Sequence, residues 1–306
     1  MLRFATFLNC FFMKNLYKSL LIAGTTLFCG MNISAQNRAD VLFPAGDGTP
    51  WGWTLDEASA LTAKAETPNI FEGTLYLQAD KDLKFLKTFD FGNDEFHAVV
   101  NGSKPDASGK VALMLNGDDN KFRVAESANY HIVVDADALT ATIKKSPYQD
   151  ANITLSSLFI IGGAAPNGWD IDHGTAMHQD AAAPYIYSAT TELKTGDFKL
   201  ATILKGARSW NKKYWIFRDA TDDGKIVPAS DEDNKWNITD PGTYTVTVNT
   251  KDNTISISKT GGIEDITADS DIAPVYYNLQ GVRVSNPDHG QLLIRVAGDK
   301  ATKIIY

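Results

Sequence analysis

Cysteine is nearly absent from this chain, and where it does occur it does no structural work. Cys10 and Cys29 both fall in an N-terminal stretch that reads as an export signal. Met13-Lys14-Asn15-Leu16-Tyr17-Lys18 is a positive n-region, which makes Met13 the expected functional start. Leu20 to Phe28 is an apolar run too short to cross a bilayer, and Ile33-Ser34-Ala35 offers small residues for cleavage. Phe28 is bulky where a lipoprotein signal wants a small residue before Cys29, so export without a lipid is expected. Residues 1–35 are therefore expected to be removed. What remains has no disulfide framework, no thiol nucleophile and no cysteine metal site.

Basic charge is also short. Without Arg3, Lys14 and Lys18, 26 basic side chains stand against 37 acidic ones, a net of −11. That balance disfavours nucleic acid and anionic lipid, both of which are held by basic patches. The chemistry of a hydrolase or transferase is missing too. There is no Gly-x-Ser-x-Gly, no His-Glu-x-x-His and no glycine-rich phosphate loop. The five histidines are scattered, and only His173 and His178 are near each other, in an expected loop rather than at metal-ligand spacing. Asp231-Glu232-Asp233-Asn234 lacks the glycine and distal glutamate of a calcium loop. No enzyme, cofactor or metal is expected, nor a membrane-spanning segment after export.

What the chain does have is a duplication. Pro50-Trp51-Gly52-Trp53-Thr54-Leu55-Asp56 is answered 116 residues later by Pro166-Asn167-Gly168-Trp169-Asp170-Ile171-Asp172. Pro68-Asn69-Ile70-Phe71 answers Pro184-Tyr185-Ile186-Tyr187 at 116, Asp82-Leu83-Lys84-Phe85 answers Asp197-Phe198-Lys199-Leu200 at 115, and Asp119-Asn120-Lys121-Phe122 answers Asp233-Asn234-Lys235-Trp236 at 114. A register drifting so little marks one domain copied, with short loop changes. Period-two alternation prevails, as in Tyr244 to Val248 and Thr254 to Ser258 around a polar turn, and again at Tyr130 to Val134. The expected fold is all-β: two immunoglobulin-like sandwiches at 40–147 and 155–260, standing as separate beads, with an acidic linker at 261–274 and a small β unit at 275–306.

The Phe159 to Gly163 strand, Pro-x-Gly-Trp-Asp at 166–170, Pro184-Tyr185-Ile186-Tyr187, the Asp197-Phe198-Lys199-Leu200 strand and the closing Gly242 to Val248 hairpin together resemble the carbohydrate-binding domains of SusE/SusF outer-membrane starch-binding proteins. The resemblance spans both copies, roughly Asp40 to Lys259. It implies non-catalytic modules that hold α-glucan near the cell surface of a Gram-negative bacterium, beside other outer-membrane glycan-uptake proteins. Tyr276-Tyr277-Asn278-Leu279-Gln280-Gly281-Val282-Arg283-Val284 is similar to C-terminal sorting tails of type IX secreted proteins. That implies delivery to the surface or beyond. A surface adhesin that binds a protein partner is the alternative, and it calls for an exposed apolar strip.

Pyranose rings stack their C–H faces on aromatic rings while their hydroxyls seek donors and acceptors. All six tryptophans lie in the repeats, four of them in the second copy. Trp53 and Trp169 follow a glycine in matching turns and are either surface platforms or plugs at the sandwich end; the resemblance favours platforms. Trp210-Asn211-Lys212-Lys213-Tyr214-Trp215 is the richest segment. Trp210 is the expected second platform and Trp215 a substitute. Its first-copy counterpart by simple offset is Asp94-Glu95-Phe96-His97, which lacks the lysine pair. Lys84 and Lys199 sit at matching strand positions, as solvated lysines or as hydroxyl donors. Asn234 and Lys235 are donors at the site rim or plain turn residues, and Trp236 is expected in the core.

Overall fold

A computed structural model describes residues 41–204, 210–260, 274–297 and 300–306. The export segment, Arg208 and nearly all of the acidic linker lie outside the described residues. Residues from Ala39 onward form a single compact unit. The described chain is built of strands with a few 3-10 turns, and no helix among the described residues is long and apolar enough to cross a membrane.

The first copy contains β1 (Val41–Ala45), β2 (Leu61–Ala63), β3 (Ile70–Leu77), β4 (Lys84–Leu86), β5 (Glu95–Ala98), β6 (Lys110–Leu115), β7 (Ala128–Asp135) and β8 (Thr140–Lys145). Instead of two separate sheets, they run β1-β2-β3-β7-β8-β6-β5-β4 and close into a barrel, since β1 also pairs with β4. Alternation explains the wall. In β7 Tyr130, Ile132 and Val134 are buried, and their neighbours His131 and Val133 are only half-buried.

The second copy contains β9 (Ser157–Ile161), β10 (Thr175–Gln179), β11 (Ile186–Leu193), β12 (Gly196–Ala201), β13 (Trp215–Arg218), β14 (Ile226–Pro228), β15 (Trp236–Ile238), β16 (Gly242–Asn249) and β17 (Thr254–Lys259). Its order, β14-β13-β12-β9-β10-β11-β16-β17, is that of the first copy, with β15 added beside β12. The β6–β8 seam has shrunk here to one bridge, Lys225 to Thr254, and two flanking backbone hydrogen bonds. Both copies tie a tyrosine back to the carbonyl four residues upstream: Tyr130 to Glu126 (2.8 Å) and Tyr244 to Asp240 (2.6 Å). This is the corner known from immunoglobulin-like sandwiches. Trp236 is buried against Phe198, rings 5.5 Å apart, as expected of a core residue.

The copies are not loosely strung beads. Phe159, Ile161, Ala201, Leu204, Trp215 and Phe217 of the second copy belong to the same buried cluster as the first copy's core. β9 is buried along its whole length: Leu158 and Ile160 serve the second copy's own core, while Phe159 and Ile161 join the first copy's cluster. Buried polar groups stitch the junction. The Tyr76 amide donates to Ile153 O (2.8 Å), the Ser156 amide to Ser59 Oγ (2.8 Å) and the Ser156 hydroxyl to Ala60 O (2.7 Å). A polar linker sequence hid this, because serines look solvent-facing until their partners are seen.

β18 (Val275–Tyr277), β19 (Arg283–Val284), β20 (Leu292–Ala297) and β21 (Lys300–Ile305) form a four-stranded sheet in the order β19-β18-β20-β21. Leu293 is buried and Tyr276 meets Tyr306 edge-on, while Leu279, Val282 and Ile305 are exposed.

Candidate glycan-binding site

One glycine sets the geometry in each copy. Gly162 ends β9 with φ +153°, and a Cβ there would stand 2.3 Å from Asp197 O; Gly46 repeats this at φ +132° and 2.0 Å from Asp82 O. With no side chain, the loop lies directly on the start of β12 or β4. The amide of Gly162 then donates to Gly168 O (2.9 Å), and that of Gly46 to Gly52 O (3.0 Å). The turn carries Trp169 to the surface, 37% exposed. Trp51 differs from its counterpart Asn167: it is buried, and its indole donates to Pro44 O (2.8 Å).

In the second copy Trp210, 53% exposed, meets Trp169 at 6.3 Å with planes 37° apart, and stacks on Trp215 at 5.5 Å and 28°. Trp215 is 1% exposed and cannot present a face to a sugar, so it is the floor under the shelf and not the substitute platform expected from sequence. Its indole nitrogen finds no acceptor among the described residues. Lys199 leaves β12 on the face away from Phe198 and Leu200, yet it is buried, not solvated. Its Nζ lies 4.1 Å from the Trp215 ring centre, 5.0 Å from Phe217 and 5.8 Å from Trp169, and it donates to Asp233 Oδ1 (2.9 Å). Lys235 donates to Asp233 Oδ2 (2.7 Å) and lies 5.9 Å from the Trp169 ring. Cations over ring faces are held by the ring quadrupole. Burial opposes ionisation of Asp233, but hydrogen bonds and charge from Lys235 and Lys199 outweigh it and hold the carboxyl below its usual range. Asn234 turns its amide to Glu232 (2.9 Å). Lys212 pairs with Asp231, and Lys213 reaches Glu57 of the first copy (2.8 Å), so neither lysine of the richest segment serves the shelf.

The first copy places a different floor at the same position. β4 pairs Phe85 with Phe96 as β12 pairs Leu200 with Ile216. The structural partner of Trp215 is therefore Glu95, that of Phe217 is His97, and the sequence offset that matched Phe96 to Trp210 is wrong. An insertion before β13 shifted the register. Lys84 is buried and donates to Glu95 Oε2 (2.6 Å) and Asp119 Oδ1 (3.1 Å). His97 Nε2 stands 3.0 Å from Glu95 Oε2, and its Nδ1 3.3 Å from Asp119 Oδ1 without a hydrogen-bond partner among the described residues. Lys121 adds a second lysine on Asp119 (2.6 Å). For Asp119 too, burial opposes ionisation, and Lys121 and Lys84 overcome it. Partly exposed Trp53 leans on exposed Phe91 at 6.1 Å, with Lys84 and Lys121 5.9 and 5.7 Å from its ring.

Among the described residues, Glu95, His97 and Asp119 are the group with metal-ligand atoms within 4.8 Å of one another. The Lys84 ammonium lies on both carboxylates and fills the place a cation would take, so the cluster is an ion-pair network. Sequence reasoning found Trp53, Lys84, Trp169, Lys199, Trp210 and Lys235, and the fold brings each set together. It missed Phe91, Glu95, His97, Asp119 and Asp233. The two aspartates were visible as a matched pair one residue before Asn120 and Asn234.

No protein-family model and no curated protein matches the chain. Among solved structures it is similar to SusF from Bacteroides thetaiotaomicron, with a TM-score of 0.29 and 19% identity over 72% of this chain and 48% of that one. The chain spans about half the length of that protein.

Proposed function

We propose that this chain is a non-catalytic, surface-located polysaccharide-binding protein built of immunoglobulin-like modules, and that its second copy holds starch-like α-glucan. The observation that carries this reading is the shelf: two exposed indoles 6.3 Å apart and inclined by 37°, with a buried ammonium beneath them. Inclined rings suit a curved, stacked chain of neutral sugars, because each C–H face meets one ring. Asp233, flanked by Lys199 and Lys235, supplies a hydroxyl acceptor between two donors. Delivery through the 275–306 unit to the cell surface belongs to the same proposal.

Affinity on such an open surface is expected on the order of 10 µM to 1 mM, since few contacts offset the association entropy. Trp169→Ala and Trp210→Ala are each expected to weaken maltoheptaose binding by about 2 kcal/mol while melting stays near wild type. Calorimetric titration and thermal melting of both variants check this. Undiminished binding in both would overturn it.

A further inference from the structure

The stretch between the Trp53 turn and β2 belongs to the first copy but runs along the second. It opens with a 3-10 turn, Leu55–Glu57, and Leu55, Ala58 and Ala60 are buried in the cluster that also holds Trp215 and Phe217. Ser59 accepts from the Ser156 amide, and the Ala60 amide donates to Ser157 Oγ at the start of β9 (3.3 Å). From this packed base the exposed Glu57 reaches across. Its Oε1 accepts from Lys213 Nζ at 2.8 Å, with the Tyr214 hydroxyl 3.5 Å away.

Lys213 sits in the short segment that carries the more exposed indole of the shelf. Between Trp210 and Trp215 the chain makes one 3-10 turn, Lys212–Tyr214. Asn211 caps it through Oδ1, which accepts from the Lys213 amide (3.0 Å), and Tyr214 O accepts from the Thr202 amide (2.9 Å). Two lysines hold its outer side: Lys212 pairs with Asp231 of the same copy, and Lys213 with Glu57 of the other. A turn this short has no core of its own. Its stance, and with it the inclination of Trp210 over Trp215 and beside Trp169, follows from those ties.

Both ends of the tie between copies depart from the duplicated pattern. Asp56 matches Asp172, so Glu57 stands where the second copy has His173, whose ring turns back to Asp170 in its own turn (2.8 Å). Lys213 lies in the loop lengthened by the insertion before β13. The longer loop and the carboxylate that meets it occur together.

We infer that Glu57 is a positioning residue for the glycan shelf: through Lys213, the first copy sets the attitude of Trp210 and thereby the affinity of the second copy's site. The inference rests on the glycan reading given above. The two side chains are 42% and 59% exposed, so the pair adds little to global stability and acts on one local orientation.

The test uses the full chain and reads melting, maltoheptaose affinity and the exciton couplet that stacked indoles give in far-ultraviolet circular dichroism. Glu57→Gln and Lys213→Met are each expected to shrink the couplet and weaken binding about threefold, while melting stays near wild type. The double variant should be no worse than either single one, because both remove the same tie. Glu57→Lys combined with Lys213→Glu should restore couplet and affinity. Raising ionic strength from about 0.05 M to about 0.5 M should weaken binding of this uncharged probe to wild type and leave Glu57→Gln unmoved. Couplet and affinity unchanged in both single variants overturn the inference, as does a shrunken couplet with undiminished binding, or losses that add in the double variant. A wild type that binds no maltoheptaose overturns the glycan reading, and the couplet, which needs no ligand, still upholds or overturns the tie.

Discussion

Lys199 and Lys84 leave equivalent strands and end on equivalent aspartates, yet one lies on Trp215 and Phe217 and the other is paired with Glu95, which stands where Trp215 does. The same backbone thus holds a buried ammonium in two ways. In the second copy rings attract it weakly and without a counter-charge beneath. In the first a buried carboxylate neutralises it, and each partner then depends on the other, because an ion left alone in the interior is costly. Duplication lets one copy keep a plain stacking shelf while the other builds a polar pocket.

The sharpest way to break this contrast is Glu95→Ala, which removes the buried partner of Lys84, leaving it only the exposed Asp119, and removes the partner of His97. It should cost about 3–5 kcal/mol of stability by denaturant unfolding, whereas Lys199→Met, which lays an apolar chain on an apolar floor, should cost under about 1 kcal/mol. The combined Glu95→Trp and His97→Phe change, copying the second floor into the first, should recover much of that loss. Next is Trp215→Ala: the floor tryptophan should cost about 3–5 kcal/mol of stability, unlike Trp210→Ala, its exposed neighbour.

A smaller effect sits at the junction. Burial lowers the titration of His178, with Lys64 adding to it and Glu72 and Glu66 opposing, and burial lowers that of His131, with Glu72 opposing and Lys64 adding. A histidine depressed in the folded state binds its proton more readily when unfolded. Its contribution is present above the ordinary histidine range and fades as pH falls through and below about 6.5. Melting should therefore drop by a few degrees from pH 7.5 to 5.5, and less in a His178→Gln variant, whose side chain can still pair with Thr62. Lys213→Ala, which breaks an exposed contact to Glu57 between the copies, should leave melting unchanged.

Much of this was legible beforehand. Period-two patterning gave the strands, and the matched turns gave Trp53 and Trp169 as equivalents. Lys84 and Lys199 also paired correctly from spacing, since strand alternation survives small loop changes. The floor was not legible, because the insertion before β13 carries Trp215 and Phe217 away from the positions that a constant offset assigns. Burial of the lysines escaped for another reason: nothing in a strand's own sequence reveals that a loop folds over its outer face.

β9 has a consequence for how such a chain can change. A domain with a solvated perimeter can be lost, multiplied or moved to another protein intact. With Phe159 and Ile161 committed to its neighbour, the second copy can no longer travel alone without a bare greasy face, and a third could not be appended by repeating the gene segment unaltered. The pair has become the unit of inheritance.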